Sequence, residues 1–204
     1  MNGPGELSRR LAAHTPGLMC SRNRYAMLCP FVERQDGLYL LFEVRAATLR
    51  RQPGEVCFPG GRMETGESPE ACALRETGEE LHIAPEHIEL WGRTDFIVDA
   101  SNAWMQPVAG KILPEGLTEL RPSWTEVEET FLVPLSFFRE HAPHLYHYDL
   151  RPLPQIDFPY EEIGFPSGYA FRGGRVEVPI WQYNGHIIWG LTARIIRNIL
   201  QITE

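Results

Sequence analysis

Cysteine is scarce in this 204-residue sequence, and the few cysteines do not form a recognisable framework. Cys20, Cys29, Cys57 and Cys72 include no Cys-x-x-Cys pair, and no histidine follows them at zinc-finger spacing. This arrangement disfavours both a structural zinc site and a disulfide scaffold. We therefore expect the cysteines to be reduced thiols that are mostly buried.

Long apolar runs are also absent. The longest one, FLVPLSFF at residues 131–138, is far shorter than the roughly 20 residues that a membrane-spanning helix needs. The N-terminal stretch carries Arg9 and Arg10 but no apolar segment long enough for a signal peptide. We therefore expect a cytoplasmic protein without a membrane partner.

Basic residues are outnumbered by acidic ones. Lys and Arg total 19 against 27 Asp and Glu, which gives a formal net charge of −8, and there is no long basic run. A nucleic-acid surface needs clustered Lys and Arg, so nucleic acid is not an expected partner. The length suits one domain with a full core. We predict a helix-and-loop extension at residues 1–22 and a single domain at residues 23–204.

The first half of the chain combines several strand patterns with one helix. Apolar runs on either side of the turn sequence RQDG, at residues 34–37, predict a hairpin. A loop with a short strand at Glu55–Phe58 follows, and a helix is expected to start at Ser68. The segments IELWGRTDFIVD and AWMQPVAGKIL then predict two further strands, with the residues ASN between them.

The second half adds strands, turns and two helices. A short helix is expected near Pro134, and the segments HLYHYDL, GYAFRGGRVEV and PIWQYNGHIIW follow it. The dipeptides at residues 173–174 (Gly-Gly) and 184–185 (Asn-Gly) are typical of hairpin turns. The last segment predicts an amphipathic helix, whose apolar face consists of Leu191, Ile195, Ile196 and Ile199. This order of elements favours an α+β fold or a mixed-sheet sandwich.

An acidic helix after a glycine-rich turn is the most unusual feature of the sequence. Ser68 and Pro69 form a typical helix start. At about 100° per residue, Glu76, Glu79 and Glu80 are expected to lie together on one side of the helix. The opposite side is expected to present Ala71, Leu74, Gly78 and Leu81.

Carboxylates that are so closely spaced repel one another unless a cation lies between them. Hard divalent ions such as Mg²⁺ and Mn²⁺ prefer oxygen ligands of this kind. A solvated acidic helix face is the simpler interpretation of the three glutamates alone. The context favours a site, because the preceding FPGG turn offers bare backbone groups, and because Arg75 can hold a carboxylate through a bidentate hydrogen bond.

The spacing of these residues resembles the Nudix box, the signature of a family of diphosphate hydrolases. Thr77 replaces the usual aliphatic residue and His82 replaces the usual glycine, but no ligand position is lost. Such a pattern over 23 residues is far more specific than a lone glycine-rich loop. The matching positions are Gly61, Glu67, Arg75, Glu76, Glu79, Glu80 and Ile83.

The resemblance implies a fold, a cofactor and residue roles. The fold would be a mixed β-sheet between α-helices (α/β/α), and the cofactor Mg²⁺ or Mn²⁺. Glu76 and Glu80 would be the leading metal ligands, and Glu79 a further ligand or the base that deprotonates water. The Gly60 carbonyl would complete the metal shell. Arg75 and Glu67 would form the pair that orients the catalytic helix.

A second stretch, residues 41–61, resembles the motif of the coenzyme A diphosphatase branch of this family. Four positions depart from that motif, with Glu43, Ala46, Gln52 and Glu55 in place of Thr, Ser, His and Gln. Two of these changes place an acid where the branch is neutral. The matching positions are Leu41, Arg45, Leu49, Arg50, Gly54, Val56 and residues 58–61.

Two further sets of charged residues have two interpretations each. Arg45, Arg50 and Arg51 either contact the 3′-phosphate of coenzyme A, with Gly61 also at the substrate, or form a solvated basic loop. The acidic stretch TEVEET either is a solvated loop or supplies one more metal ligand or the base. Its carboxylates are Glu126, Glu128 and Glu129.

The resemblance implies hydrolysis of a nucleoside diphosphate derivative. Coenzyme A, split into 3′,5′-ADP and 4′-phosphopantetheine, is the leading substrate. The alternatives are another derivative, such as a nucleotide sugar, a dinucleoside polyphosphate or an oxidised nucleotide, and a Nudix-fold binding module without turnover. The expected partner is a small-molecule nucleotide, and a homodimer is left open.

Overall fold

Strands form the larger part of the regular secondary structure. The computed structural model describes residues 4–19 and 23–204. Its strands are β1 Arg24–Arg34, β2 Gly37–Arg45, β3 Val56–Cys57, β4 Gly60–Arg62, β5 Ile88–Arg93, β6 Ile97–Val98, β7 Trp104–Ile112, β8 Val127–Pro134, β9 His144–Leu150, β10 Gly174–Tyr183 and β11 His186–Trp189.

The described residues also form five α-helices and one 3-10 turn. Pro85–His87 forms the 3-10 turn that leads into β5. The helices are α1 Pro4–Ala12, α2 Pro69–Leu81, α3 Pro114–Glu119, α4 Leu135–Glu140 and α5 Gly190–Ile202. The predicted hairpin, central helix and closing helix are therefore confirmed, and α3 is an element that the sequence patterns did not indicate.

The strands belong to two sheets. The larger has eight strands with the central order β3-β2-β1-β7-β5, and β4, β6 and β8 pair with β1, β7 and β2. Within it β1 and β7 run parallel, whereas the other pairs are antiparallel. The smaller sheet has the order β11-β10-β9. The predicted mixed sheet is thus confirmed.

Two apolar clusters cover the two faces of the large sheet. Because side chains alternate along a strand, Leu40 and Phe42 of β2 face one cluster, whereas Leu41 faces the other. Helices α4 and α5 complete the first cluster, and α2 completes the second. Burial of each large apolar side chain stabilises the fold by about 1.5–3 kcal/mol. The α/β/α prediction is therefore confirmed.

Helix α2 begins as predicted, and its buried residues come from both sides of its helical wheel. Ser68 caps it by accepting a hydrogen bond from the Ala71 N–H at 3.1 Å. The helical wheel placed Ala71 and Leu81 on one side and Glu80 on the opposite side. Ala71 is exposed, whereas Leu81 and Glu80 are both buried. The side in contact with the sheet consists of Pro69, Cys72, Ala73, Thr77, Glu80 and Leu81.

The predicted turn at residues 173–174 is also wrong. Gly174 opens β10 and lies opposite Leu150 of β9. A side chain at Gly173 would come within 2.7 Å of the Leu150 carbonyl oxygen, so the first glycine is needed for close strand approach and not for a turn. By contrast, Asn184 and Gly185 do form the hairpin between β10 and β11, both with positive φ.

Several predictions concern the termini and the cysteines. Cys29 and Cys72 are buried, Cys57 is partly buried, and all three are free thiols, as predicted, whereas Cys20 lies outside the described residues. Within residues 4–19 and 23–204, no helix has the length and apolarity required to cross a membrane. The domain boundary at residue 22 stays a prediction.

Candidate metal and diphosphate site

Strand β4, which lies between β3 and α2 in the chain, brings its backbone unusually close to its neighbours. A Cβ at Gly60 would lie 2.5 Å from the Met27 Cα, and one at Gly61 would lie 2.4 Å from the carboxyl carbon of Glu76. Only glycine tolerates such contacts. The absence of a side chain at Gly61 therefore lets the Glu76 carboxylate rest directly against β4.

Glu80 is held in the interior of the site. Its side chain is almost fully buried, and Oε2 accepts a hydrogen bond from the Gly60 N–H at 2.8 Å. Burial raises the pKa of Glu80, and the nearby charges of Glu43, Glu76 and Glu126 raise it further. The Gly60 peptide thus contacts Glu80 through its N–H, and the proposed metal contact of the Gly60 carbonyl stays a prediction.

Arg75 of α2 forms ion pairs with three glutamates, namely Glu67, Glu76 and Glu79. Its Nε and Nη2 donate to the two carboxylate oxygens of Glu67 at 2.9 and 3.2 Å, and Nη1 donates to Glu76 at 2.7 Å. Nη2 also donates to the Arg62 carbonyl at 3.2 Å. A planar guanidinium suits such a fork. The hydrogen bond from Arg75 lowers the pKa of Glu67.

The box glutamates differ in their exposure. The Glu76 side chain is 14% exposed and that of Glu79 is 57% exposed. Burial raises the pKa of Glu76, although Arg75 opposes this shift. Glu79 makes a longer contact with Arg75, at 3.3 Å. Glu79 is therefore the box carboxylate that is most open to solvent and to an incoming substrate.

Glu43 joins this group from strand β2 and was not predicted as a site residue. It is 1% exposed, and its Oε1 accepts a hydrogen bond from the Cys57 thiol at 3.2 Å. Burial raises its pKa, and the charges of Glu126 and Glu76 add to this effect. The sequence signal was its departure from the branch motif, which has Thr at this position.

The acidic loop before β8 reaches the same group through one residue. Glu126 interacts electrostatically with Glu43, Glu76 and Glu80. The Ser123 N–H donates to the Glu80 carbonyl at 2.8 Å, which attaches this loop to the end of α2. Glu128 is exposed and Glu129 lies 3.7 Å from His186. Of the three candidates in TEVEET, the structure brings Glu126 to the site.

The three arginines of the β2–β3 loop are placed differently from one another. Arg45 is partly buried, and its charge opposes the rise in the pKa of Glu43 that burial causes. The Arg45 Nε is buried without a hydrogen-bond partner among the described residues. Arg50 and Arg51 are exposed on the loop. The structure therefore brings Arg45 to the carboxylates and leaves the other two at the surface.

The donor set at the site fits a hard divalent cation. The candidate ligands are carboxylate oxygens and the Gly60 carbonyl oxygen, and Mg²⁺ and Mn²⁺ prefer oxygen ligands. Among the described residues, the buried Oε2 of Glu43 has no hydrogen-bond partner. Across the described ranges, no three His, Cys, Asp or Glu side chains already form a close metal-binding group. Glu76 is instead engaged by Arg75, and Glu80 by the Gly60 N–H.

A known protein family matches the part of the chain that carries this site. The family model described as the NUDIX domain matches residues 22–148, which is more than half of the chain. The chain belongs to the Nudix family. The predicted family and enzyme class, the Nudix hydrolases, are thereby confirmed. The proposed roles of the individual Nudix box residues stay predictions.

Three relatives illustrate the position of the chain within the Nudix family. The peroxisomal coenzyme A diphosphatase NUDT7 of Mus musculus is 37% identical over 128 residues, which cover 62% of this chain but only 52% of the mouse protein. The mitochondrial coenzyme A diphosphatase NUDT8 of Homo sapiens is 30% identical over 99% of this chain and 79% of its own length. An uncharacterized Nudix hydrolase, NudL of Enterobacter sp. (strain 638), is 34% identical over 89% of this chain and 84% of its own length.

Proposed function

We propose that this Nudix protein hydrolyses the diphosphate of coenzyme A or acyl-coenzyme A in a reaction that depends on Mg²⁺ or Mn²⁺. The products are 3′,5′-ADP and (acyl-)4′-phosphopantetheine. The observation that carries the proposal is the group of glutamates around Gly60 and Gly61 of β4, in which Glu80 is buried and Glu76 is nearly buried. The substrate assignment is supported by the motif at residues 41–61 and by relatives named as coenzyme A diphosphatases.

In this proposal Glu76 and Glu80 hold the cation, and Arg75 positions Glu76. When bound, the cation offsets charge on the diphosphate and lowers the pKa of water. The chain's own contribution to hydrolysis is a carboxylate that accepts the proton of the attacking water. The water oxygen bonds to one phosphorus, the bond between that phosphorus and the bridging oxygen breaks, and the bridging oxygen leaves with the other phosphate. Glu79 and Glu126 are the candidate bases, because both are exposed beside the buried ligands.

A different nucleotide derivative is the second candidate function. Glu43 and Glu55 place acids in the motif where the coenzyme A branch is neutral, and Glu43 lies within the site. Glu55 accepts a hydrogen bond from Gln52 at 2.9 Å, so part of its charge is engaged outside the site. A binding module without turnover is the weakest alternative, because all four glutamates of the box are present.

A hydrolysis screen tests the proposal. The full chain is incubated with Mg²⁺ or Mn²⁺ and with coenzyme A, dephospho-coenzyme A, a nucleotide sugar, a dinucleoside polyphosphate and an oxidised nucleotide. We expect coenzyme A to have the highest kcat/KM and to yield 3′,5′-ADP by chromatography. A higher kcat/KM for another substrate would reassign the function, and no hydrolysis of any of them would favour the binding module.

A further inference from the structure

Glu43 is a buried carboxylate, and only one of its two oxygens accepts a hydrogen bond from the described residues. Its Oε1 accepts the hydrogen bond from the Cys57 thiol, whereas its Oε2 is buried with no partner among the described residues. A buried polar atom without a partner costs about 1–3 kcal/mol, and more when it is charged. Folding alone therefore gives no reason for a glutamate at this position.

The fold directs Glu43 toward the proposed metal ligands. Along β2, Leu41 packs in the apolar cluster beneath α2, and Glu43, two residues further on, lies on the same face of the strand. Glu43 lies opposite Cys57 of β3 in the sheet. Cys57 is three residues before Gly60, whose N–H donates a hydrogen bond to Glu80. The pairing of β2 with β3 and the hydrogen bond from Gly60 therefore bring the carboxylates of Glu43 and Glu80 close together.

The surrounding charges would repel a carboxylate at this point unless a cation is present. Glu80, Glu76 and Glu126 all interact unfavourably with Glu43, and the positive charge of Arg45 opposes them. Arg45 does not donate a hydrogen bond to Oε2. A divalent cation would supply positive charge to offset these carboxylates and would also be a partner for Oε2 of Glu43.

We propose that Glu43 supplies a further oxygen ligand, through Oε2, to the divalent cation held by Glu76 and Glu80. The inference rests on the proposed function, since it concerns the same cation, but it does not depend on which nucleotide is hydrolysed. It distinguishes this chain from the coenzyme A branch motif, in which the neutral Thr at this position cannot contribute a carboxylate.

The test measures Mn²⁺ binding without any substrate. Mn²⁺ alone is titrated calorimetrically into the full chain and into Glu43→Gln, Glu43→Thr and Glu89→Gln. Glu89 is an exposed glutamate of β5 that serves as the matched control. We expect the two Glu43 variants to bind Mn²⁺ at least about tenfold more weakly, and the control to bind like the parent. Thermal melting of all four proteins in chelator checks that each is folded. Glu43→Thr shortens a buried side chain and can leave a cavity, whereas Glu43→Gln keeps the volume and removes only the charge.

The water-proton relaxivity of bound Mn²⁺ identifies a direct ligand. Loss of a protein oxygen leaves a coordination position for water, so bound Mn²⁺ in Glu43→Thr should show higher relaxivity than in the parent. Parent-like affinity in both Glu43 variants would overturn the inference. Weaker binding with unchanged relaxivity would also overturn it, because Glu43 would then act only through its charge.

These results are separate from the substrate question. If Mn²⁺ binding depends on Glu43 but coenzyme A is not hydrolysed, the inference stands and the substrate assignment fails. If coenzyme A is hydrolysed and Mn²⁺ binding does not depend on Glu43, the inference alone fails.

Discussion

Glu76, Glu79 and Glu80 occupy one turn of helix, but each has a different environment. Glu80 is buried against the Gly60 N–H, Glu76 is nearly buried beside Arg75, and Glu79 is largely exposed. The two buried carboxylates repel each other, so a cation between them relieves a cost that the metal-free protein bears. Their effects on activity and on stability should therefore have opposite signs.

We predict that Glu76→Gln and Glu80→Gln each lower kcat by at least about a hundredfold, because each removes one catalytic interaction of about 3 kcal/mol. Each variant should bind Mn²⁺ more weakly and melt no lower than the parent without metal. Glu70→Gln on the same helix is the control, since Glu70 pairs with Arg93 away from the cluster. Near-parent turnover and Mn²⁺ affinity in both test variants would show that the metal-site assignment is wrong.

Glu80 also predicts how the stability of the metal-free protein depends on pH. Burial raises its pKa above the ordinary value of 4.5, so above that pH the unfolded chain ionises more readily than the native one. The Glu80 carboxyl therefore makes the native state progressively less stable as pH rises from about 4.5 through its raised pKa.

The comparison of the parent with Glu80→Gln isolates this effect. We expect the variant to gain stability relative to the parent as pH rises, by at least about 1 kcal/mol in total. Urea unfolding in chelator at several pH values measures the difference. A difference that does not change with pH would mean that Glu80 ionises normally in the native state.

Helix α2 is defined by its two ends. Ser68 caps the N-terminus, and His82 ends the helix in the left-handed conformation, with φ 56°. The imidazole Nδ1 of His82 donates to the Arg121 carbonyl at 2.7 Å, which joins the helix end to the loop that carries Glu126. A histidine thus replaces the usual glycine and makes a contact that glycine lacks.

We predict that His82→Gly changes the free energy of unfolding by at most about 1 kcal/mol and leaves kcat/KM nearly unchanged. The relief of left-handed backbone strain, about 1 kcal/mol or more, is offset by a lost hydrogen bond of similar size. His82→Asn, which also tolerates this conformation, is the matched variant. A hundredfold loss of activity in folded His82→Gly would place His82 in the site.

At the scale of the whole molecule, the charge balance opposes the binding of an anionic substrate. The chain carries a net charge of −8, yet its substrate is expected to be an anion. We therefore expect arginines of the β2–β3 loop to offset this repulsion, and Arg50 and Arg51 are the two that are exposed. Arg45 is constrained by its partial burial beside Glu43.

We predict that coenzyme A has a higher kcat/KM than dephospho-coenzyme A, and that Arg50→Ala or Arg51→Ala reduces this preference. A charge-assisted hydrogen bond of about 1.5–3 kcal/mol corresponds to roughly a tenfold effect or more. Hydrolysis of dephospho-coenzyme A should change little. Arg172→Ala removes an exposed arginine from the long segment before β10 and serves as the control. Equal kcat/KM values for the two substrates in the parent would refute a contact with the 3′-phosphate.

The sequence alone determined the family, the central helix and the identity of the box glutamates. Residues 61–83 form one contiguous segment, so the spacing of Gly61, Glu67, Arg75 and the glutamates is a local property that can be recognised without a structure. The hairpin turn at residues 184–185 and the cap at Ser68 were predictable for the same reason, since turn and cap preferences act over a few residues.

Only the tertiary structure decided which of these residues are buried and what joins them. The helical wheel placed Glu80 and Leu81 on opposite sides of α2, but packing of the helix buries both of them. Glu43 and Glu126 lie far from the box in sequence, and strand pairing and the β8 loop bring them to it. Gly173 and Gly174 gave a turn signal, but Gly174 begins β10 and Gly173 allows close approach to the Leu150 carbonyl. The physical reason is common to all three cases, because pairing register and packing are long-range and leave no periodic pattern in the chain.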